Sequence, residues 1–240
     1  MWRPALMAFQ HTNNGSVVLW RGAPNCDAAQ KFVRKWLREN SPVYPVVWVP
    51  ENIRLQGNLG ECVAFCCAGF CWNPMPRCIA ANAFHPLANI SRTGIDLLWV
   101  GFAQQPNQDF VIHQEVKTTT QLDLSYASAL VDDYKKSFGK NPNLTLTTHL
   151  HEVKSKLKYE WAQPELVDRV NALQAASPRD ADRLTIIPTL VHDLKSEAPV
   201  PKLAGIEAEL STAGWKQINS WAIGFDGLGT HLKSMAEDQP

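Results

Sequence analysis

Two apolar runs in the middle of the chain, separated by a turn-rich loop, have the length and composition of β-strands. IDLLWVGF (95–102) and FVIHQEVKT (110–118) are separated by a polar loop that contains Pro106. Two such runs joined by a polar loop predict a β-hairpin with a long loop, in which successive side chains of each strand point to opposite faces. RLTIIPTLVHDL (183–194) predicts another strand, and QINSWAIGFD (217–226) predicts a last one.

Apolar residues recur at helical spacing on both sides of these strands. The spacing predicts helices at 27–40, 59–72 and 121–138. The helix at 59–72 is apolar on nearly every side, so we expect it to be buried, with Asn58 as its N-cap. The remaining helices are predicted at 145–160, at 164–176, at 203–213 and close to the C-terminus.

The order of these elements predicts an α/β fold with a mixed sheet and additional helices. Residues 1–25 show no regular period and are predicted to be irregular, and VYPVVWV (43–49) is predicted to be a short strand or an extended segment. A chain of 240 residues suits one large domain with additions. We divide it into an N-terminal extension that packs on the core (1–57), a core with a helical insertion (58–194) and a C-terminal α/β extension (195–240).

The overall charge of the chain is balanced, with 23 Lys and Arg residues against 23 Asp and Glu residues. A global basic field is therefore excluded, and any contact with nucleic acid must come from a local patch. The longest apolar run, CVAFCCAGFCW (62–72), is too short to cross a bilayer, and the N-terminus lacks a secretory signal. We therefore expect a soluble, cytoplasmic protein with no membrane contact.

Five of the six cysteines fall between residues 62 and 78. At helical spacing such cysteines are typical of small buried apolar side chains. A metal or iron–sulfur site is the alternative, and the absence of any CxxC spacing disfavours it. The cysteines in question are Cys62, Cys66, Cys67, Cys71 and Cys78.

Charged residues interrupt both strands of the predicted hairpin. Glu115 and Lys117 are two positions apart and therefore share a face of their strand. In an antiparallel hairpin the start of the first strand lies beside the end of the second, so Asp96 is expected to meet them. An ordinary interpretation is also open for each: Glu115 and Lys117 as a surface ion pair, and Asp96 as the cap of a turn after Gly94.

Two carboxylates beside a backbone carbonyl form an oxygen-rich site that suits Mg²⁺ or Mn²⁺. We expect Asp96, Glu115 and the carbonyl of Val116 to bind the ion. A bound ion polarises a phosphodiester oxygen and lowers the pKa of a bound water. Lys117 would then position or deprotonate that water and offset charge on the phosphate.

Two further residues are expected near this site. Glu61 lies in the apolar helix, where a carboxylate is costly to bury without compensation, so we expect it to support the ion directly or through water. His113 shares the face of Glu115. It could touch the site, although a neutral structural histidine is the simpler interpretation.

Glu61 in a first helix, Asp96 on a strand and Glu115-Val116-Lys117 on the next strand, followed by a helix, resemble the PD-(D/E)XK nuclease superfamily. The resemblance covers roughly residues 58–192. It implies a restriction-endonuclease-like α-β-β-β-α-β core, Mg²⁺-dependent cleavage of phosphodiester bonds and DNA as the usual substrate. The chain departs from the motif at Ile95, where the superfamily name has Pro.

GIDLLWV and EVKTT, with the helical tail, also resemble the nuclease subunits of bacterial anti-phage systems of the Hachiman type. That resemblance implies a helicase or ATPase partner and invading DNA as the target. Lys135 and Lys136 follow the Glu-Val-Lys strand and are predicted to contact DNA phosphates, with a solvated helix face as the alternative. The predicted function is a Mg²⁺-dependent DNA endonuclease, and its alternative is a non-catalytic DNA-binding or protein-interaction subunit of the same fold.

Overall fold

The computed structural model describes residues 6–11, 16–21, 26–71, 77–80, 95–137, 142–176, 182–196 and 198–239. Within these residues, one mixed sheet of seven strands forms the centre of the molecule, and helices cover both of its faces. The predicted α/β class with a mixed sheet is confirmed. Strands from all three of the predicted ranges, 1–57, 58–194 and 195–240, join this single sheet.

The strands are parallel at the centre of the sheet and antiparallel at both edges. Their order across the sheet is β1-β2-β7-β6-β5-β4-β3. The pairs β2–β7, β7–β6 and β6–β5 are parallel, whereas β1–β2, β5–β4 and β4–β3 are antiparallel. The strands are β1 (Leu6–His11), β2 (Ser16–Arg21), β3 (Arg77–Ala80), β4 (Leu97–Gly101), β5 (Phe110–Thr119), β6 (Leu184–Asp193) and β7 (Asn219–Phe225).

Two helical layers enclose the sheet. Helices α1, α2 and α7 pack on one face, and α3, α4, α5 and α6 pack on the other. The buried side chains of β5 alternate between these layers, with Ile112 and Val116 on the first and Val111 on the second. The helices are α1 (Cys26–Asn40), α2 (Ile53–Cys71), α3 (Ala129–Ser137), α4 (Pro142–Tyr159), α5 (Val167–Ala175), α6 (Pro199–Thr212) and α7 (Leu228–Glu237).

The prediction that residues 1–25 are irregular is wrong for the residues of this range that the structure describes, 6–11 and 16–21. They contain β1 and β2, which pair with each other, and β2 also pairs with β7 in parallel from Ser16↔Asn219 to Arg21↔Gly224. A strand stabilised by a partner about 200 residues away leaves little trace in its local sequence.

Residues 43–49 do not form a strand: Val43 lies in a turn, and residues 46–49 have no regular secondary structure. The N–H of Val46 donates to the carbonyl of Ala236, and the N–H of Trp48 donates to Glu237 Oε1. Tyr44, Val46 and Trp48 pack on the core, while Val47 is 79% exposed. The segment therefore lies along α7 and makes no β-ladder. Pro45 has no backbone N–H to donate to a neighbouring strand, which agrees with this arrangement.

Two helix starts differ from prediction because side chains cap the backbone elsewhere. Helix α2 begins at Ile53, where Asn52 Oδ1 accepts the N–H of Leu55 at 3.0 Å, so the predicted cap Asn58 lies inside the helix. The predicted helix at 121–138 begins only at Ala129. Asp123 accepts hydrogen bonds from the N–H and the hydroxyl of Ser125, which holds the chain in a turn before the helix.

The side chains of α2 from 59 to 68 are buried nearly all round, as predicted. Its cysteines Cys62, Cys66 and Cys67 are reduced and buried, and burial raises the pKa of Cys62 and Cys66, so these thiols remain neutral and pack as apolar groups. The side chains of Cys71 and Cys78 lie outside the described part of the structure. None of the helices in the described ranges combines the length and apolar character needed to cross a bilayer.

Helix α2 lies very close to β5 at Gly60. A Cβ atom at Gly60 would lie 1.7 Å from Thr118 Oγ1, whereas a Cβ atom at Gly57 would meet nothing within 4 Å. We expect Gly60→Ala to lower the free energy of unfolding by roughly 1–3 kcal/mol through overpacking. Gly57→Ala on the same helix should raise it by about 0.5–1 kcal/mol.

Urea unfolding followed by circular dichroism measures both changes. Thr118→Ala should recover part of the loss in the Gly60→Ala background, because it removes the hydroxyl that the new methyl group meets. Equal stability of the two glycine variants would show that α2 is not held against β5 at this point.

Candidate functional site

The candidate site lies where β5 continues beyond the start of β4. The last pair between these strands is Leu97↔Gln114, so Asp96 and Glu115 follow directly across from each other. Glu115 pairs with Pro188 at the middle of the ladder between β5 and β6, and Lys117 lies further toward the carboxyl end of β5. The site therefore lies on the part of β5 that leads to the carboxyl ends of the parallel strands, beyond which open α/β sheets usually bind ligands.

The structure brings Asp96 and Glu115 together. Their carboxyl groups are hydrogen-bonded to each other, and the N–H of Val116 donates to Asp96 Oδ2 at 2.9 Å. In an extended strand the N–H and C=O of one residue point to the same side, so the carbonyl of Val116 faces the side on which Asp96 lies. Two carboxyl groups and one backbone carbonyl therefore converge at this edge.

Burial makes the two acids hold protons unusually tightly. Asp96 is partly exposed as a residue, but its carboxyl group is enclosed, and burial together with the neighbouring Glu115 raises its pKa well above the usual range. Burial raises the pKa of Glu115 to about 8, against the opposing effects of Asp96 and Lys117. Without a cation the pair therefore holds at least one proton at neutral pH.

Lys117 lies on the same face of β5 as Glu115, and its amine forms an ion pair with Asp133 Oδ2 on α3. Burial by itself lowers the pKa of Lys117, but the hydrogen bond to Asp133 and the charge of Asp96 outweigh burial and raise it. The amine therefore stays charged. Its Nζ lies 6.0 Å from the ring centroid of Tyr126, whose side chain is 46% exposed.

Asp133 was not identified from the sequence. Asp132 and Asp133 are adjacent in α3, and the rotation of the helix about its own axis decides which of the two faces the sheet. In the structure Asp132 is exposed, whereas Asp133 is partly buried and reaches Lys117. An acidic residue in the helix that follows a Glu-x-Lys strand is the signal that could have drawn attention to it.

Glu61 approaches from the opposite layer of the molecule. It belongs to α2, which packs on the other face of the sheet, and it is 5% exposed. Its charge is among the influences that raise the pKa of Glu115. The neighbouring Gly60 allows α2 to lie against Thr118, which explains how a carboxyl group from that layer comes near the site. Glu61 was predicted to support the site. It lies at the rim of the site, where its negative charge helps to raise the pKa of Glu115.

Two fully buried side chains lie behind Glu115. The Nε2 atom of His113 lies 2.5 Å from Glu115 Oε1. The hydroxyl of Tyr134 accepts the N–H of Glu115 at 3.1 Å and donates to the carbonyl of His113 at 3.2 Å. Burial lowers the pKa of His113 to about 3, so the ring is neutral. His113 is thus a neutral buried histidine that also touches the site.

Lys135 and Lys136 are exposed in the last turn of α3. Lys136 Nζ lies 3.7 Å from Asp133 Oδ1, so the basic end of α3 borders the residue that holds Lys117. Other lysines of the basic stretch are engaged locally: Lys154 donates to Asn171 and Gln174, and Lys156 pairs with Glu160. A solvated helix face describes those two lysines better than a phosphate site.

The donor set suits a hard divalent cation that keeps most of its water. Among the described residues, no group of three or more His, Cys, Asp or Glu side chains is arranged to hold a metal ion. Mg²⁺ commonly uses only one or two carboxylates, with waters and substrate phosphates completing its shell. Asp96, Glu115 and the Val116 carbonyl match that smaller requirement.

The raised carboxyl pKa values predict a pH-dependent stability. The folded-state pKa of Glu115 is about 8 against an ordinary 4.5, so the metal-free protein loses stability as pH rises through that window. Glu115→Gln cannot ionise. We expect its free energy of unfolding to exceed that of the wild type by an amount that grows with pH, reaching roughly 1–3 kcal/mol above pH 8.

Urea unfolding in EDTA at about pH 5, 7 and 8.5 measures this difference. Asp123→Asn is the contrasting variant. Hydrogen bonds from Ser125 lower the pKa of the exposed Asp123, so its carboxylate is fully ionised and its stabilising contribution is complete above pH 5. The free energy of unfolding of Asp123→Asn should therefore differ from that of the wild type by the same amount at all three pH values. A difference for Glu115→Gln that shrinks as pH rises would contradict the buried acid pair.

Comparison with known proteins returns no match of either kind. No family model matches the sequence, and no curated protein matches it. Any functional assignment therefore depends on the arrangement of Asp96, Glu115 and Lys117 and on the elements that hold it.

Proposed function

We propose that the protein is a Mg²⁺- or Mn²⁺-dependent DNA endonuclease. The observation that carries the proposal is the meeting of the Asp96 and Glu115 carboxyl groups at one edge of the sheet, with Lys117 on the same face of β5. A buried pair of acids is costly unless a cation or shared protons neutralise it. A divalent cation would replace the proton that the pair otherwise holds.

The topology around the site supports the proposal. The elements around the site follow one another in the order α2, β3, β4, β5, α3 and β6, and α4 and α5 are inserted between α3 and β6. The first three strands are antiparallel neighbours, and β6 is parallel to β5. This order agrees with the α-β-β-β-α-β core that the resemblance to the PD-(D/E)XK superfamily implies, with α4 and α5 as the predicted helical insertion.

Each residue would have a separate task in hydrolysis. When bound, the cation would polarise the phosphodiester and activate the attacking water. Asp96, Glu115 and the Val116 carbonyl would hold it. Lys117, whose raised pKa keeps it protonated, suits orienting the water and offsetting phosphate charge better than removing a proton. Asp133 would keep the amine on the site side of α3.

A second candidate is a non-catalytic DNA-binding or interaction subunit of the same fold. The observation that favours it is the internal pairing of the charged groups: Asp133 holds the amine of Lys117, and Asp96 and Glu115 bond to each other. In that case the acids and the amine would stabilise the edge of the sheet. Cleavage assays separate the two candidates.

Activity on supercoiled plasmid tests the catalytic proposal. We expect Mg²⁺-dependent nicking that EDTA abolishes, and a loss of about 10²- to 10⁴-fold in Asp96→Asn, Glu115→Gln and Lys117→Ala. Lys216→Ala is the matched control, because Lys216 is exposed just before β7, where its amine pairs with Asp182 and not with a residue of the site. It should retain full activity.

Nicking that survives in all three variants would reject the site. No nicking by the wild type, together with DNA binding that all three variants retain, would favour the non-catalytic subunit. The predicted helicase or ATPase partner and the role in anti-phage defence rest on the Hachiman-type resemblance. Copurification from the native host with a motor protein would support both. If the wild type nicks DNA only after that partner is added, the result would support the catalytic proposal.

Lys135 and Lys136 are proposed to contact the DNA backbone beside the site. Removing one phosphate contact lowers the slope of log affinity against log salt by about 0.9 for duplex DNA. We expect Lys135→Ala and Lys136→Ala each to weaken binding of duplexes of any sequence and to reduce that slope, whereas Lys216→Ala should change neither. Fluorescence anisotropy over a range of salt concentrations measures both quantities. Identical slopes for all three variants would assign the two lysines to a solvated helix face.

A further inference from the structure

The contact behind Glu115 links a buried histidine to the centre of the site. The side chain of His113 is 0% exposed, and its Nε2 atom lies 2.5 Å from Glu115 Oε1. The two residues are separated by two positions on β5 and share one face of the strand. A buried polar ring is retained at little cost only when it is hydrogen-bonded.

The surroundings of His113 keep the imidazole in this orientation. The ring of Tyr134 packs against it with 4.7 Å between centroids. The hydroxyl of Tyr134 also bonds to the backbone at both residues, to the N–H of Glu115 and to the carbonyl of His113. Tyr134 is itself fully buried between β5 and α3. The ring and the stretch of backbone that carries Glu115 are therefore fixed by the same side chain.

We propose that His113 is the positioning residue for Glu115: its Nε2–H donates to Oε1 and so holds Oε2 toward Asp96 and the cation. The inference rests on the proposed function, because the cation is the one proposed there. A glutamate side chain on a strand has three rotatable bonds, and a carboxylate oxygen fixed from behind limits them to the orientation that binds. Partners of this kind, which orient a metal ligand from outside, typically change metal affinity by 10- to 100-fold.

The direction of the hydrogen bond follows from the ligand role of Glu115. A carboxylate that binds a cation is an acceptor only, so the proton of this contact must be on His113. A neutral imidazole carries one N–H, which places it on Nε2 in the working form of the site. Glutamine can present an amide N–H close to the position of Nε2, whereas leucine fills similar volume without a donor.

Cation affinity of the full chain tests the inference. Mn²⁺ is titrated calorimetrically at pH 8 in the presence of a short duplex, and the Mg²⁺ dependence of nicking is measured alongside. We expect His113→Leu to weaken Mn²⁺ binding and raise the half-saturating Mg²⁺ concentration by about 10- to 100-fold. His113→Gln should recover most of the affinity. His151→Leu, at an exposed position of α4, is the matched control and should leave the affinity unchanged.

The pattern of losses separates this inference from the proposed function. Unchanged Mn²⁺ affinity in His113→Leu, with a wild type that binds Mn²⁺, overturns the role of His113 alone. A wild type that binds no Mn²⁺ overturns the proposed function and the inference together. Equal losses in the Leu and Gln variants would indicate a packing role and overturn the positioning role.

Nitrogen NMR of histidine-labelled wild-type protein tests the contact without any variant. The sample contains no Mn²⁺, which is paramagnetic, and is saturated with diamagnetic Mg²⁺ and duplex DNA. Under these conditions we expect the imidazole of His113 to be the neutral Nε2–H tautomer. A Glu115→Gln sample should show a shifted Nε2 resonance. The Nδ1–H tautomer in the Mg²⁺-saturated wild type would overturn the inference even if the His113 variants fail to fold.

Discussion

Like charges buried side by side are the constraint on which this site depends. Asp96 directly precedes β4 and Glu115 lies on the adjacent strand β5, and no low-dielectric environment accepts two bare carboxylates in hydrogen-bond contact. The groups around them each reduce that cost in a different way. Val116 donates a backbone N–H, Lys117 supplies a positive charge, and His113 contributes a neutral partner. What remains is a demand for positive charge that a divalent cation can meet.

The fold concentrates these groups because β5 contacts every layer of the molecule. Its pairing with β4 ends at Leu97↔Gln114, so the backbone N–H of Val116 meets the Asp96 side chain instead of a strand, while β6 continues to pair with its other side. Helix α2 comes close enough at Gly60 to bring Glu61 to the rim. Helix α3 brings Asp133 to the amine of Lys117 and the hydroxyl of Tyr134 to the backbone of His113 and Glu115. Adjacent residues of one helix thus hold different parts of the same site.

Sequence reasoning succeeded where the determining interactions are local. The two apolar runs at 95–102 and 110–118 predicted the hairpin, and hairpin geometry alone brought Asp96 beside Glu115. It failed where distant packing decides. Residues 6–11 and 16–21 become strands because they pair with each other and β2 pairs with β7, and Asn52 rather than Asn58 caps α2. The contacts of Asp133 and Tyr134 with β5 depend on how α3 is rotated after the turn at Asp123, which no local pattern encodes.

The parallel pairing of β2 with β7 has a consequence for biosynthesis. Ser16 and Asn219 are partners in the sheet although almost the whole chain separates them. During translation the ribosome therefore releases β2 long before its neighbour exists, and the β1–β2 hairpin must wait with an open edge. Chaperone protection of the nascent N-terminal hairpin, and slow closure of the sheet once the last strand emerges, are natural expectations for a chain with this connectivity.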